Sequence, residues 1–344
     1  MRPNGKGQQH LHNIAPSITS HKLSISTTKQ ANLYDSTALI FHHNKTMTDQ
    51  QQQQQIPIDE TLASLTAMCH QESQGYQTQD FLQQTKYNQP LHFDIDADSR
   101  SKMVQWSFSV VDFLKFSRET VETATNILDR FMLTDSAYKA RSDRCTYQLA
   151  AMTCLYSAVK IHEPEAMDPK LVSNLSRGTY SAKQVEEMEL QILMAVSWRV
   201  NPPTAMAFVR HYLQLIPSTV LDPQMVEAVH DLTKFQTELA VAEYDFLSIK
   251  PSIVGFCSLM NALESVGMSH ALLMQIANSI SQAIRVESPE QVSQVQSWLY
   301  QSILGEPSTS SVFRKTSPAH NTNKPSLLAR QSSCEVSPRS VAAA

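Results

Sequence analysis

The sequence predicts an all-α protein made of two consecutive domains of about five helices each, set between disordered tails. Three observations carry this. Apolar residues recur at helical spacing through most of residues 56–305, only 7 of the 344 residues are glycine, and the pair Pro202-Pro203 divides the periodic region into two halves of similar style. Apolar side chains three and four residues apart share one helix face, so the period reports a buried stripe. Scarce glycine disfavours turn-rich β folds and phosphate-cradling loops. Two adjacent prolines lack backbone donors and bias their predecessors away from helix, which marks a seam.

The elements follow in chain order. Residues 1–55 are mostly Ser, Thr, Asn, Gln and His and end in the run Gln50 to Gln55. Such a stretch buries too little apolar surface to offset its ordering entropy, so it reads as a disordered leader in which Met47 offers an alternative start. Residues 56–98 form a helical extension. The first domain, 99–201, opens with a helix carrying Met103, Trp106, Val110 and Phe113 at spacing three and four. Asp94, Asp96 and Asp98 alternate as in a calcium loop, but Ser99 and Gln105 stand where that loop needs Gly and Glu, so these acids read as helix N-terminal charges. After Ser117, an expected N-cap, comes a helix with Val121, Ala124, Ile127, Leu128 and Phe131, ending near Thr134. Residues 147–159 are apolar or small on every side, which predicts a central helix with others packed around it. A short helix at 169–175 and one after Ser181, with Val185, Met188, Ile192 and Val196, complete the domain, and Pro202-Pro203 is expected to stop that last run. The second domain, 202–305, reads as helices at 204–215, 223–242, 251–266, 271–284 and 289–304. Residues 306–344 are rich in Ser, Pro and Thr and are expected to be disordered; Ser317 and Ser337 each precede proline and are candidate phosphorylation sites.

Composition excludes several functions. A net charge of -4 without a dense Lys/Arg run provides no attraction for a phosphate backbone, so direct nucleic-acid binding is not expected. Five widely spaced cysteines suggest neither a disulfide framework nor a zinc site, and a reducing compartment fits them best. No apolar run approaches the ~20 residues of a membrane span. His162-Glu163 lacks the second histidine of a zinc peptidase, and no nucleophile elbow, phosphate loop or Cys-x-x-Cys pair is present. Neither catalysis, a metal nor a cofactor is expected. Four charges embedded in apolar helical stretches remain: Arg100, Asp129, Lys160 and Glu189. Residue type alone reads each as a solvated or snorkelling side chain.

Their order in the chain supports another reading. Arg100 with Trp106, Glu119-Thr120, the string Ile127 to Phe131 (Ile-Leu-Asp-Arg-Phe), Gln148-Leu149, Ala158-Val159-Lys160 with Glu163, Tyr180-Ser181, Met188-Glu189 and Pro203-Thr204 with Phe208 stand in one register. In that register residues 100–208 resemble the cyclin box, the N-terminal helical domain of cyclins. Arg100, Asp129, Leu149, Lys160 and Glu189 fill the family's five most characteristic positions in order. Glu238-Leu239, Tyr244 to Leu247 and Pro251-Ser252 look like its C-terminal box.

The resemblance implies two consecutive five-helix cyclin boxes and a regulatory subunit that binds and activates a cyclin-dependent kinase in cell-cycle control, in the nucleus and cytoplasm. It implies an internal salt bridge between Arg100 and Asp129, a family core position at Leu149, and a kinase-binding face made by Lys160 and Glu189 with Ile161, Leu193 and Trp198. Kinase substrates are further implied partners, but the family's docking patch is degenerate here: Ser99 and Lys102 occupy two of its positions, leaving Met103, Trp106 and Gln148. Gln105 replaces the acid that usually precedes the Trp, and the connection from Phe131 to Gln148 is longer than in many cyclins. The stretch 61–82 and Trp198 are similar to D-type cyclins or the expanded diatom set. The alternative is a cyclin-box scaffold that binds transcription machinery or another helical partner without activating a kinase.

Overall fold

The computed structural model describes residues 58–82 and 95–304. Both expected disordered tails, with Ser317 and Ser337, lie outside the described residues, as does Asp94. Among the described residues there are twelve α-helices and no strand: α1 (Ile58–Gln74), α2 (Ala97–Leu114), α3 (Glu119–Met132), α4 (Tyr138–Ser142), α5 (Arg144–His162), α6 (Pro169–Leu175), α7 (Ala182–Ala195), α8 (Ala205–Gln214), α9 (Pro223–Ala242), α10 (Pro251–Ser265), α11 (His270–Ile284) and α12 (Pro289–Leu304).

The first box is built around α5. Its residues from Leu149 to Val159 are all buried, and α3, α4, α6, α7 and α2 pack against it. Small residues, Ala150, Ala151, Ser157 and Ala158, let those neighbours approach on every side. The second box repeats the plan around α10, which buries every residue from Ser252 to Leu263 against α9, α8, α12 and α11. Gly255 is required where α10 meets α8, because a Cβ there would lie 2.7 Å from the Ala205 carbonyl oxygen. Helix starts are set by side-chain caps. Asp96, Asp143, Asp168, Ser181, Thr204 and Asp222 each accept a backbone N–H, and Ser181 with Gln184 forms a full capping box.

Three features differ from the expectation. At the start of α3 the N-cap position is Arg118; Ser117 Oγ accepts the Glu119 N–H at 3.3 Å, while Glu163 accepts from the Ser117 N–H at 3.0 Å and from the Thr120 hydroxyl. The last helix of the first box stops at Ala195, well before the prolines. Ser197 and Trp198 adopt left-handed backbone (φ 56° and 60°), and the Trp198 N–H returns to the Leu193 carbonyl at 2.8 Å, so the helix closes on its own carbonyls. The long connection after α3 holds a 3-10 turn, Asp135–Ala137, and the short α4, added to the five helices expected for this box. Arg141 fastens that segment by donating to the Met132 and Thr134 carbonyls, both at 2.6 Å.

Helix α1 precedes the first box but packs on the second. Leu65 is fully buried in the second core, and Glu72 accepts the Ser252 N–H (3.1 Å) and hydroxyl (2.6 Å) at the start of α10. The chain then crosses over: Asn126 donates to the Tyr76 carbonyl at 3.1 Å, and Phe81 enters the first core, edge-on to Tyr244.

Candidate partner-binding face

Arg100 on α2 and Asp129 on α3 meet in a two-pronged ion pair, Nε to Oδ1 at 2.9 Å and Nη2 to Oδ2 at 2.8 Å. The side chains are 3% and 4% exposed. Arg100 Nη1 also donates to the Val241 carbonyl of α9 at 3.0 Å, so one guanidinium ties α2 to α3 and both to the second box. Burial opposes its charge, yet Asp129 outweighs that and holds Arg100 above its ordinary pKa. Leu149 is buried in the same core.

Lys160 lies in the last turn of α5 and Glu189 in the middle of α7, and the α5–α7 packing brings them together. Lys160 Nζ donates to Glu189 Oε1 at 3.0 Å and to Oε2 at 3.1 Å. The Lys160 side chain is 41% exposed and the Glu189 side chain 14%. Two neighbours go unread in the sequence. Buried Ser157, one turn before Lys160, donates its hydroxyl to Glu189 Oε1 at 3.0 Å, and the Tyr156 ring lies 4.8 Å from Lys160 Nζ. Partial burial alone would lower the Lys160 pKa, but the hydrogen bonds and charge of Glu189 raise it. The pair is therefore held in place by contacts within the chain itself.

The helices that carry this pair and the turn after α7 also expose apolar side chains. Ile161 and Trp198 are exposed and Leu193 is half-buried; Leu190 and Met194, which sequence reasoning did not select, are 54% and 65% exposed. Their signal was available, since they stand four residues apart on α7 and off the Val185, Met188 and Ile192 face that is buried. Exposed apolar side chains gathered about an ordered charge pair can seat a helix of another protein.

Of the three residues of the degenerate docking patch, two are buried and Gln148 is partly exposed. Met103 and Trp106 belong to the first core at 6% exposure each, and Gln148 accepts the Tyr180 hydroxyl at 3.0 Å. Among the described residues no group of three His, Cys, Asp or Glu could hold a metal ion, and no helix is long and apolar enough to cross a membrane.

The family model for the cyclin N-terminal domain matches residues 64–201, and the model for the cyclin C-terminal domain matches 203–331. The chain belongs to the cyclin family. This cyclin is 29% identical over 168 residues to Cyclin-A2-2 of Arabidopsis thaliana, covering 49% of this chain and 37% of that protein. It is 32% identical over 176 residues to Cyclin-O protein A of Xenopus laevis, covering 50% and 46%, and 26% identical over 201 residues to the G2/mitotic-specific cyclin-B of Drosophila melanogaster, covering 56% and 35%. The cyclin's matched region spans less than half the length of each of these relatives. They are A, O and B types, whereas the sequence reading leans to D-type or diatom cyclins; the family assignment rests on neither.

Proposed function

We propose that this cyclin is a regulatory subunit that binds a cyclin-dependent kinase through the α5–α7 face and activates it in cell-cycle control. The observation that carries the reading is the ordered Lys160–Glu189 pair, braced by Ser157 and bordered by exposed Ile161, Leu190, Met194 and Trp198. A polar pair that is already oriented gives up little side-chain entropy on docking, and a bordering apolar rim supplies burial. The kinase helix received there would be held where the kinase's own Lys–Glu pair and metal-binding Asp become competent for phosphotransfer. The cyclin contributes position and performs no chemistry. Rigidity supports this role, since the Arg100–Asp129 pair fixes α2 and α3 beneath α5.

The test is co-purification of a cyclin-dependent kinase with the Lys160→Ala, Glu189→Ala double variant. Kinase capture is expected to be lost while the helical circular dichroism stays unchanged. Capture at the wild-type level sinks the proposal, and capture without phosphotransfer by the reconstituted wild-type pair reduces it to a scaffold.

A further inference from the structure

A second feature opens just beyond Trp198. The end of α1, the last turn of α3 and the turn after α7 enclose a cleft of about 340 Å³, whose lining includes Gln74, Gly75, Arg130, Val196, Ser197 and Arg199. Its lining carries two guanidiniums and no carboxylate. Arg130 is buried, yet all its partners are neutral: Nη1 donates to the Arg199 carbonyl at 2.6 Å and to Asn126 Oδ1 at 3.4 Å, and Nη2 to the Val196 carbonyl at 3.2 Å. Its guanidinium also sits 4.8 Å from the Tyr76 ring centroid. Arg199 donates to the Gln74 carbonyl at 3.1 Å. Neither arginine makes an ion pair with any described residue.

Buried cations are ordinarily paired with acids, because carbonyl oxygens return only part of the lost hydration. Burial, against some help from Tyr76 and aggravated by Arg199, pushes Arg130 down to about 10. A Cβ on Gly75 would lie 2.2 Å from Arg199 Nη1, so a side chain there would make the flexible, exposed Arg199 guanidinium swing aside. An oxyanion entering the cleft would give buried Arg130 an acid partner and meet exposed Arg199 beside it, and planar guanidiniums bind such groups in two-pronged fashion.

We propose that this cleft receives an anionic oxygen group, a carboxylate or a phosphate, carried by the protein that docks on the α5–α7 face. The inference rests on the docking reading above, because Arg199 directly follows Trp198 and places the cleft at the edge of that face. The anion would act as a second anchor beside the Lys160–Glu189 pair.

The full-length chain alone supplies the first test, by titration with inorganic phosphate and, separately, acetate at constant ionic strength, read from the side-chain Nε resonances of Arg130 and Arg199. Saturable shifts of both are expected, weakened about tenfold in Arg199→Gln. Gly75→Ala, which displaces the guanidinium without removing its charge, is expected to weaken binding as well. Tighter binding of phosphate than of acetate identifies a phosphorylated residue as the natural source, and equal binding identifies an acidic side chain. Absence of saturation, or saturation unaltered in Arg199→Gln, overturns the proposal. In the second test the kinase complex of Arg199→Gln is expected to form but to dissociate faster, with weaker salt dependence; unchanged dissociation also overturns it. The two readings fail separately. Phosphate binding by the chain combined with wild-type kinase capture by the Lys160→Ala, Glu189→Ala variant removes the docking face and leaves the anion site, whereas lost capture combined with no phosphate binding removes the cleft alone.

Discussion

Arg100 and Asp129 carry opposite charges into a core where neither would persist alone, while Lys160 and Glu189 form a pair of similar length at the surface. Geometry alone does not separate them; surroundings do. Asp129→Ala leaves the Arg100 guanidinium buried with no acid, only the Val241 carbonyl and the Tyr244 ring, so a loss of about 3–5 kcal/mol of stability is expected in denaturant unfolding. Lys160→Ala removes the half-exposed member of its pair and leaves Glu189 the Ser157 hydroxyl, so a cost of about 1 kcal/mol or less is expected in the same measurement. Similar losses for the two variants would contradict the division of roles. Residue type and periodicity do not reveal this contrast, because a long charged side chain on an apolar helix can equally snorkel to solvent. The register of the cyclin box pairs Arg100 with Asp129. Nothing in the sequence points to Val241, which is 141 residues from Arg100, or to Ser157 as a support for Glu189.

Among the elements, those with caps and an apolar stripe were legible, and those defined by a tertiary contact were not. Ser181, Asp222 and Thr204 begin their helices through local hydrogen bonds, which a sequence carries in full. Helix α4 is five residues long and is fastened by Arg141 to carbonyls of the preceding helix end, a contact with no periodic signature. The end of α7 has no sequence signal before the prolines, because the left-handed residues that close it are Ser and Trp rather than glycine. Helix α8 carries a titration signal at its start. Glu122 of α3 accepts the Ala205 N–H at 2.7 Å, and burial pushes its pKa from 4.5 up to about 8, with Glu119 adding to the rise and the Ala205 bond and Arg210 opposing it. The folded state therefore keeps a proton that the unfolded chain has released, so this group lowers stability progressively as pH rises from 4.5 to about 8, with no further change above. Glu122→Gln keeps an acceptor for Ala205 and removes the titration. Its stability relative to wild type is expected to increase across that window; a pH-independent difference would show that Glu122 titrates normally.

At the scale of the whole molecule, the proline pair marks a seam between two boxes but hides how firmly they are joined. Arg118 of the first box donates to Glu238 of the second at 2.8 Å, and Glu119 pairs with Arg210 at 2.9 Å; as partly exposed pairs these contribute at most about 1 kcal/mol each. The stronger connection is the segment from α1 to Leu82, which places Leu65 in the second core and Phe81 in the first. Helical periodicity places an extension over 56–98 before the first box, but which of two apolar surfaces it covers depends on shape that no local window contains. Because that segment is shared, unfolding either box strips buried surface from the other, and the two are expected to melt in one cooperative transition. Leu65→Ala tests the coupling directly, since a fully buried leucine truncated to alanine costs about 2–5 kcal/mol. Fluorescence of single-tryptophan variants that keep either Trp106, in the first core, or Trp298, packed on the second, reports each box separately. Leu65→Ala is expected to lower both midpoints together, although the residue touches only the second core; a shift confined to the Trp298 signal would mean that the boxes unfold independently and that α1 is merely an appendage of one of them.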